Sequence, residues 1–197
     1  MQRRATMTVG AVAAIATTAV VGIGAATAAA PTPAKTVTGS LIKVQPQTLK
    51  PGTKLKPSAV GFPRVFVNAK TGWALANAQQ AQYAAITTNG GTTWKTASPA
   101  LHLNAAQAPL VVSQIGATSP KVAYAFSGGQ VADVTSDGGK HWYRGLFDGA
   151  DMAVVPGFGK QLLTFVDAGS SSSGPSGPVW QYQTSNGGKT WKLSPGS

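Results

Sequence analysis

Only five carboxylates could do acid or base work in this chain: Asp133, Asp137, Asp148, Asp151 and Asp167, with no glutamate anywhere. A two-carboxylate glycosidase needs a pair of carboxyl groups ~5–9.5 Å apart, and Asp148 and Asp151, flanking one turn, are close enough in sequence to form one. The plainer role of the same pair is to cap a loop feeding a strand. His102 and His141 stand far apart, and no thiol or glutamate joins them, so no metal site is expected. Asp148 and Asp151 also lack the spacing of a calcium loop. No cofactor-binding fingerprint is present, and none is expected to be needed.

The elements that must position these residues are set by an eight-residue figure that occurs three times. Thr87-Thr88-Asn89-Gly90-Gly91-Thr92-Thr93-Trp94 is followed by Thr135-Ser136-Asp137-Gly138-Gly139-Lys140-His141-Trp142 and by Thr184-Ser185-Asn186-Gly187-Gly188-Lys189-Thr190-Trp191. The starts lie 48 and 49 residues apart, an interval that marks a repeat architecture. Asx-Gly-Gly supplies residues that tolerate positive φ, and the Asx oxygen can accept hydrogen bonds from the turn backbone. Each figure therefore predicts a tight hairpin. The Trp then opens the return strand, where it can cover the turn.

Four strand-like runs fit each repeat. The first has Arg64 to Asn68, Gly72 to Ala76, Tyr83 to Thr87 and Thr92 to Thr96. The second has Leu110 to Ile115, Val122 to Phe126, Gln130 to Val134 and His141 to Arg144. The third has Met152 to Val155, Gln161 to Val166, Val179 to Gln183 and Thr190 to Leu193. The expected fold is all-β, with repeats at about 59–104, 105–149 and 150–197.

The figure resembles the Asp-box, or BNR repeat, of pattern Ser/Thr-x-Asp-x-Gly-x-Thr-Trp. The matching structural residues are Thr87, Asn89, Gly91 and Trp94; Thr135, Asp137, Gly139 and Trp142; and Thr184, Asn186, Gly188 and Trp191. Only Asp137 keeps the acid, and His141 replaces the usual Thr. Gly72-Trp73-Ala74 before a box also looks like the photosystem II assembly-factor version. The resemblance implies a β-propeller of four-stranded blades, in a family that spans sialidases, other glycoside hydrolases and non-enzymatic members. Three blades fall short of the ~4–8 of a closed ring, so a partial or oligomer-completed propeller is expected.

In these families the ligand face lies opposite the boxes. Onto that face the repeat count places Arg64, His102, Asn104, Arg144, Asp148, Asp151, Asp167 and Trp180. Sialidase chemistry there uses three arginines and a Tyr–Glu nucleophile pair. Beyond its leader this chain has Arg64 and Arg144 alone and no Glu, so that site cannot be assembled. No catalytic residue is assigned. Trp180 follows a Ser/Gly/Pro insert, 170–178, and could stack on a sugar ring or cover a sheet edge.

The amino terminus has the form of an export leader, residues 1–30: Arg3 and Arg4, an apolar run from Val9 to Ala25, then small residues to Ala30. Cleavage after Ala28 or Ala30 is expected, with an uncleaved anchor as the alternative. Residues 31–58, rich in Pro, Thr and Lys, are expected to be an extended linker before a domain at 59–197. The chain has 16 basic and 5 acidic residues, a net charge of +11, and no cysteine. Its lysines are scattered without an Arg cluster or interleaved aromatics, so nucleic acid is not the expected partner. The sequence points to a secreted or surface-tethered, non-catalytic binding or scaffold protein. Its partner would be a protein, wall polysaccharide or a second copy. The competing reading is a carbohydrate-active domain using Asp148 and Asp151.

Overall fold

The structure, a computed structural model, describes residues 32–103, 112–127, 130–149, 151–157, 159, 161–167 and 178–195, with Asp151 and Asp167 described as backbone only. The leader, Asn104 and most of the Ser/Gly/Pro insert lie outside the described residues.

The amino-terminal stretch provides three short strands, β1 (Thr36–Thr38), β2 (Ser40–Leu41) and β3 (Lys54–Leu55). The first repeat forms β4 (Val60–Phe66), β5 (Gly72–Ala78), β6 (Ala81–Thr87) and β7 (Trp94–Thr96), with β8 (His102–Leu103) added beside β6. The second forms β9 (Gln114–Ala117), β10 (Ala123–Phe126), β11 (Val131–Thr135) and β12 (Tyr143–Leu146). The third forms β13 (Asp151–Pro156), β14 (Leu162–Asp167), β15 (Val179–Thr184) and β16 (Thr190–Leu193).

Each repeat is one antiparallel meander, and the molecule is all-β with three separate open sheets. Their strand orders are β3-β7-β6-β5-β4, β2-β12-β11-β10-β9 and β1-β16-β15-β14-β13. The fifth strand of each sheet comes from 31–58, the stretch expected to be a linker. It runs as a strap along the outer edges, pairing with the third sheet, then the second, then the first. Its polar composition conceals this, because an edge strand of two or three residues needs backbone partners more than apolar side chains. At the crossing from third to second sheet the Gly39 N–H donates to the Lys189 carbonyl, and a Cβ on Gly39 would collide with the Gly188 carbonyl.

Alternation of side chains fixes the order of the sheets. Trp73, Leu75, Ala84 and Ile86 of the first sheet pack with Ile115, Ala125, Val131 and Trp142 of the second. The opposite face of the second sheet, with Tyr124, Phe126 and Val134, packs with Met152, Val154, Leu162, Trp180 and Trp191 of the third. Each fully buried Trp removes ~200 Å² from water, worth about 5 kcal/mol before entropy is charged. These interlocking rows hold the three sheets as one body.

The two ends of the array differ. The outer face of the first sheet, with Ala74, Ala76, Ala85 and Trp94, is sealed by Leu49 and Leu55 from the strap. The Leu49 N–H also donates to the Tyr83 hydroxyl at 2.9 Å. No described sheet covers the outer face of the third, where Val155, Phe165 and Val179 are exposed.

Candidate functional site

The boxes are self-contained hydrogen-bonded turns. Thr87 Oγ1 donates to Asn89 Oδ1 at 2.9 Å and accepts from the Gly91 N–H at 3.0 Å, while Asn89 Oδ1 accepts from the Thr93 N–H at 2.9 Å. The second and third boxes repeat this at 2.9–3.1 Å. Gly90 and Gly91 have φ of 70° and 88°, and the paired glycines of the other boxes are also left-handed, which excludes a side chain there without strain. The remaining Asx atom pairs with the residue four positions on in every box. Asn89 Nδ2 and Asn186 Nδ2 donate to Thr93 and Thr190 Oγ1 at 2.9 and 2.8 Å, but the Asp137 carboxylate can only accept, and it receives His141 Nδ1 at 2.7 Å.

Burial works against ionisation of Asp137. Hydrogen bonds from the His141 backbone and ring and from the Thr135 hydroxyl outweigh it and hold the carboxyl below its ordinary value. The tryptophans of the second and third boxes lie between sheets, whereas Trp94 lies on the outer face of the first sheet under the strap. Trp142 Nε1 donates to the Ala97 carbonyl of the preceding sheet at 2.7 Å, and the Trp191 indole lies against Gly145.

Several residues assigned to the opposite face serve the framework instead. Arg144 donates from Nε and Nη2 to Asp133 at 2.8 and 2.6 Å and also to the Leu101 carbonyl of the first sheet. Asp133 is fully buried, which pushes its carboxyl above the ordinary carboxylate value against the pull of Arg144. Burial would lower Arg144, but Asp133 outweighs it and raises the guanidinium. Arg144 is thus a clamp between sheets, with its Nε and Nη2 committed to framework partners.

Trp180 is 5% exposed and lies in the core between second and third sheets, so it offers no stacking surface. Arg64 is folded back on its own strand, donating to the Gly61 and Val60 carbonyls at 3.4 and 3.2 Å and lying over the Phe62 ring at 4.6 Å. His102 sits half-buried in β8 opposite Gln82. Asp148 is exposed in the loop after β12, where its charge adds to burial in raising the Tyr182 hydroxyl. Asp151 and Asp167 are directly opposed across the β13–β14 pair. No group of three metal-ligating side chains is found among the described residues.

Three cavities lined by described residues lie at the other end, beside the boxes. One of about 430 Å³ opens between second and third sheets, lined by Ser119, Lys121, Ser136, Leu162 and Ser185. Another, about 290 Å³, lies on the uncovered side of the third sheet among Gln161, Gln183, Asn186, Thr190 and Lys192. A third of about 320 Å³ uses Ile86, Thr88, Thr93 and Lys95 with Lys54. Counted from each box, Ile86, Thr88, Thr93 and Lys95 occupy the places of Gln183, Ser185, Thr190 and Lys192. Sequence reasoning missed this groove beside the box, although aligning the boxes exposes it. The residue preceding the box threonine reads Ile86, Val134, Gln183, and the residue three before it reads Ala84, Ala132, Gln181. Comparison of the chain with family models, curated proteins and solved structures returns no match.

Proposed function

We propose that this chain is an exported or surface-tethered, non-catalytic binding protein of Asp-box type. Its three sheets are read as successive blades of a propeller-type array that is open at the third sheet. The supporting geometry is the face-to-face order of the sheets, β4 lying against β9, and the repeated box at one end of each meander. Wall polysaccharide is the partner this reading favours, because sugar hydroxyls match a groove of amides and hydroxyls.

The observation that carries the non-catalytic reading is how the chemically able side chains are used. Asp133 and Arg144 are spent on each other, Asp137 on its turn and Trp180 on the core. The test compares the parent chain with an Asp148→Asn/Asp151→Asn variant on a panel of glycans. Equal binding with no new reducing ends from either chain is expected. Hydrolysis by the parent that disappears in the variant would overturn the reading and favour a carbohydrate-active domain.

A further inference from the structure

We infer that the uncovered face of the third sheet, with the groove at its box end, is a binding site for an acidic polysaccharide. The inference rests on the proposed non-catalytic binding reading and names the surface and ligand chemistry.

Register places the relevant side chains on one face. Phe165 opposes Gln181 and Leu163 opposes Gln183, while Gln183 also opposes Lys192 on β16. The equivalent positions in the other sheets are the ones buried by a neighbouring sheet: Ala84 and Ile86 in the first, Ala132 and Val134 in the second. The third sheet keeps an aromatic on β14 but places Gln181 and Gln183 on β15. A primary amide has two donors and one acceptor to satisfy, so burying these against another apolar sheet is costly. Against a sugar chain the same amides meet hydroxyls, and the exposed Phe165 ring, 36% accessible, meets the C–H face of a pyranose.

Charge selects the kind of sugar. Among the described residues, the groove of about 290 Å³ has one charged side chain in its lining, Lys192, and its other walls include Gln161 and Thr190. The chain as a whole carries +11. A carboxylate- or phosphate-bearing sugar fits the Lys192 end.

The experiment is affinity electrophoresis and sedimentation of the full chain with polygalacturonate as acidic probe and dextran as neutral one, at about 150 mM salt to screen diffuse attraction. Polygalacturonate is expected to retard the parent, with dextran doing so much less. Phe165→Ala and Gln183→Ala, which change no charge, should each weaken binding about tenfold. Lys192→Gln should do likewise, and Lys121→Gln, a charge control in a different cavity, should change it less than about twofold. Melting temperature and circular dichroism of each variant establish that the fold is intact.

The inference is overturned if Phe165→Ala and Gln183→Ala bind as the parent does, or if Lys121→Gln weakens binding as much as Lys192→Gln. Equal retardation by dextran overturns the acidic assignment. A parent that sediments as a dimer and becomes monomeric on Phe165→Ala would assign the face to a second copy instead. Failure to bind either polymer removes this site while leaving a protein-binding role standing. Release of reducing ends would strike the underlying non-catalytic reading.

Discussion

Arg144 illustrates how a side chain with ligand chemistry can be committed to the frame. Asp133 and Arg144 oppose each other across the β11–β12 pair, and Asp133 is fully buried, so removing the cation strands a charge in the core. Arg144→Leu should cost about 3–5 kcal/mol in denaturant unfolding, and Asp133→Leu added to it should recover much of that. Recovery should be incomplete, because the Leu101 carbonyl loses its donor, at about 1–3 kcal/mol. The pairing was legible in principle: counting outward from the box hairpin brings position 133 opposite 144. Trp180 was legible in the same way, since Trp180, Tyr182 and Thr184 alternate inward while Val179 faces out. What the sequence does not supply is which face of a strand meets another sheet.

The second box carries a pH dependence of its own. The Asp137 carboxyl lies below its ordinary value in the fold, so its contribution to stability is present above the unfolded value and is lost as pH falls through the folded one. Asp137→Asn should flatten the acid limb of a melting-temperature profile below about pH 5. His141→Thr added to Asp137→Asn rebuilds the Asn–Thr pairing of the other boxes and should keep the turn intact at neutral pH. A profile unchanged by Asp137→Asn would show that the carboxylate does not matter to the turn.

At the scale of the element, the meanders follow the repeat figure closely because their turns announce themselves with Gly-Gly. The β5–β6 hairpin does not announce itself. Gln79 and Gln80 form its two-residue turn with φ of 47° and 54°, a left-handed pair usually made from Asn and Gly. Reading these residues as ordinary loop shortens both strands, which in fact continue to Ala78 and begin at Ala81. The return strands of the first two repeats start at Trp94 and Tyr143, later than expected, because Thr93 and His141 are held by the turn. The strap was harder to see, since its strands are short and each pairs with residues more than 35 positions away. Its crossing gives a direct test. Gly39→Ala forces a Cβ onto the Gly188 carbonyl, a backbone atom that cannot swing aside, and should cost about 1–3 kcal/mol. Gly52→Ala, with open space at its Cβ but a φ of 92°, should cost less, about 1 kcal/mol from backbone strain alone. Thermal melts of the two variants decide whether the strap holds the sheets or merely lies on them.

At the largest scale, the decisive asymmetry is that the strap seals one end of the sheet array, while no described element covers the other. Repeat arrays with a bare terminal face must either cap it or make it polar enough to stay in water. The first sheet takes the first course, through Leu49 and Leu55, and the third takes the second, through Gln181 and Gln183. Restoring the residues of the second sheet at these two places, Gln181→Ala and Gln183→Val, should therefore join Val155, Leu163 and Phe165 into one apolar surface. Patches of more than a few hundred Å² drive association. The double variant should sediment as dimer or larger at micromolar concentration and bind more hydrophobic dye than the parent, with its melting temperature little changed because neither glutamine belongs to the core. If it stays monomeric with parent-like dye binding, the two amides are not what keeps this end of the array from stacking, and the polar character of the third sheet would have to be ascribed to Lys192 and the residues around it.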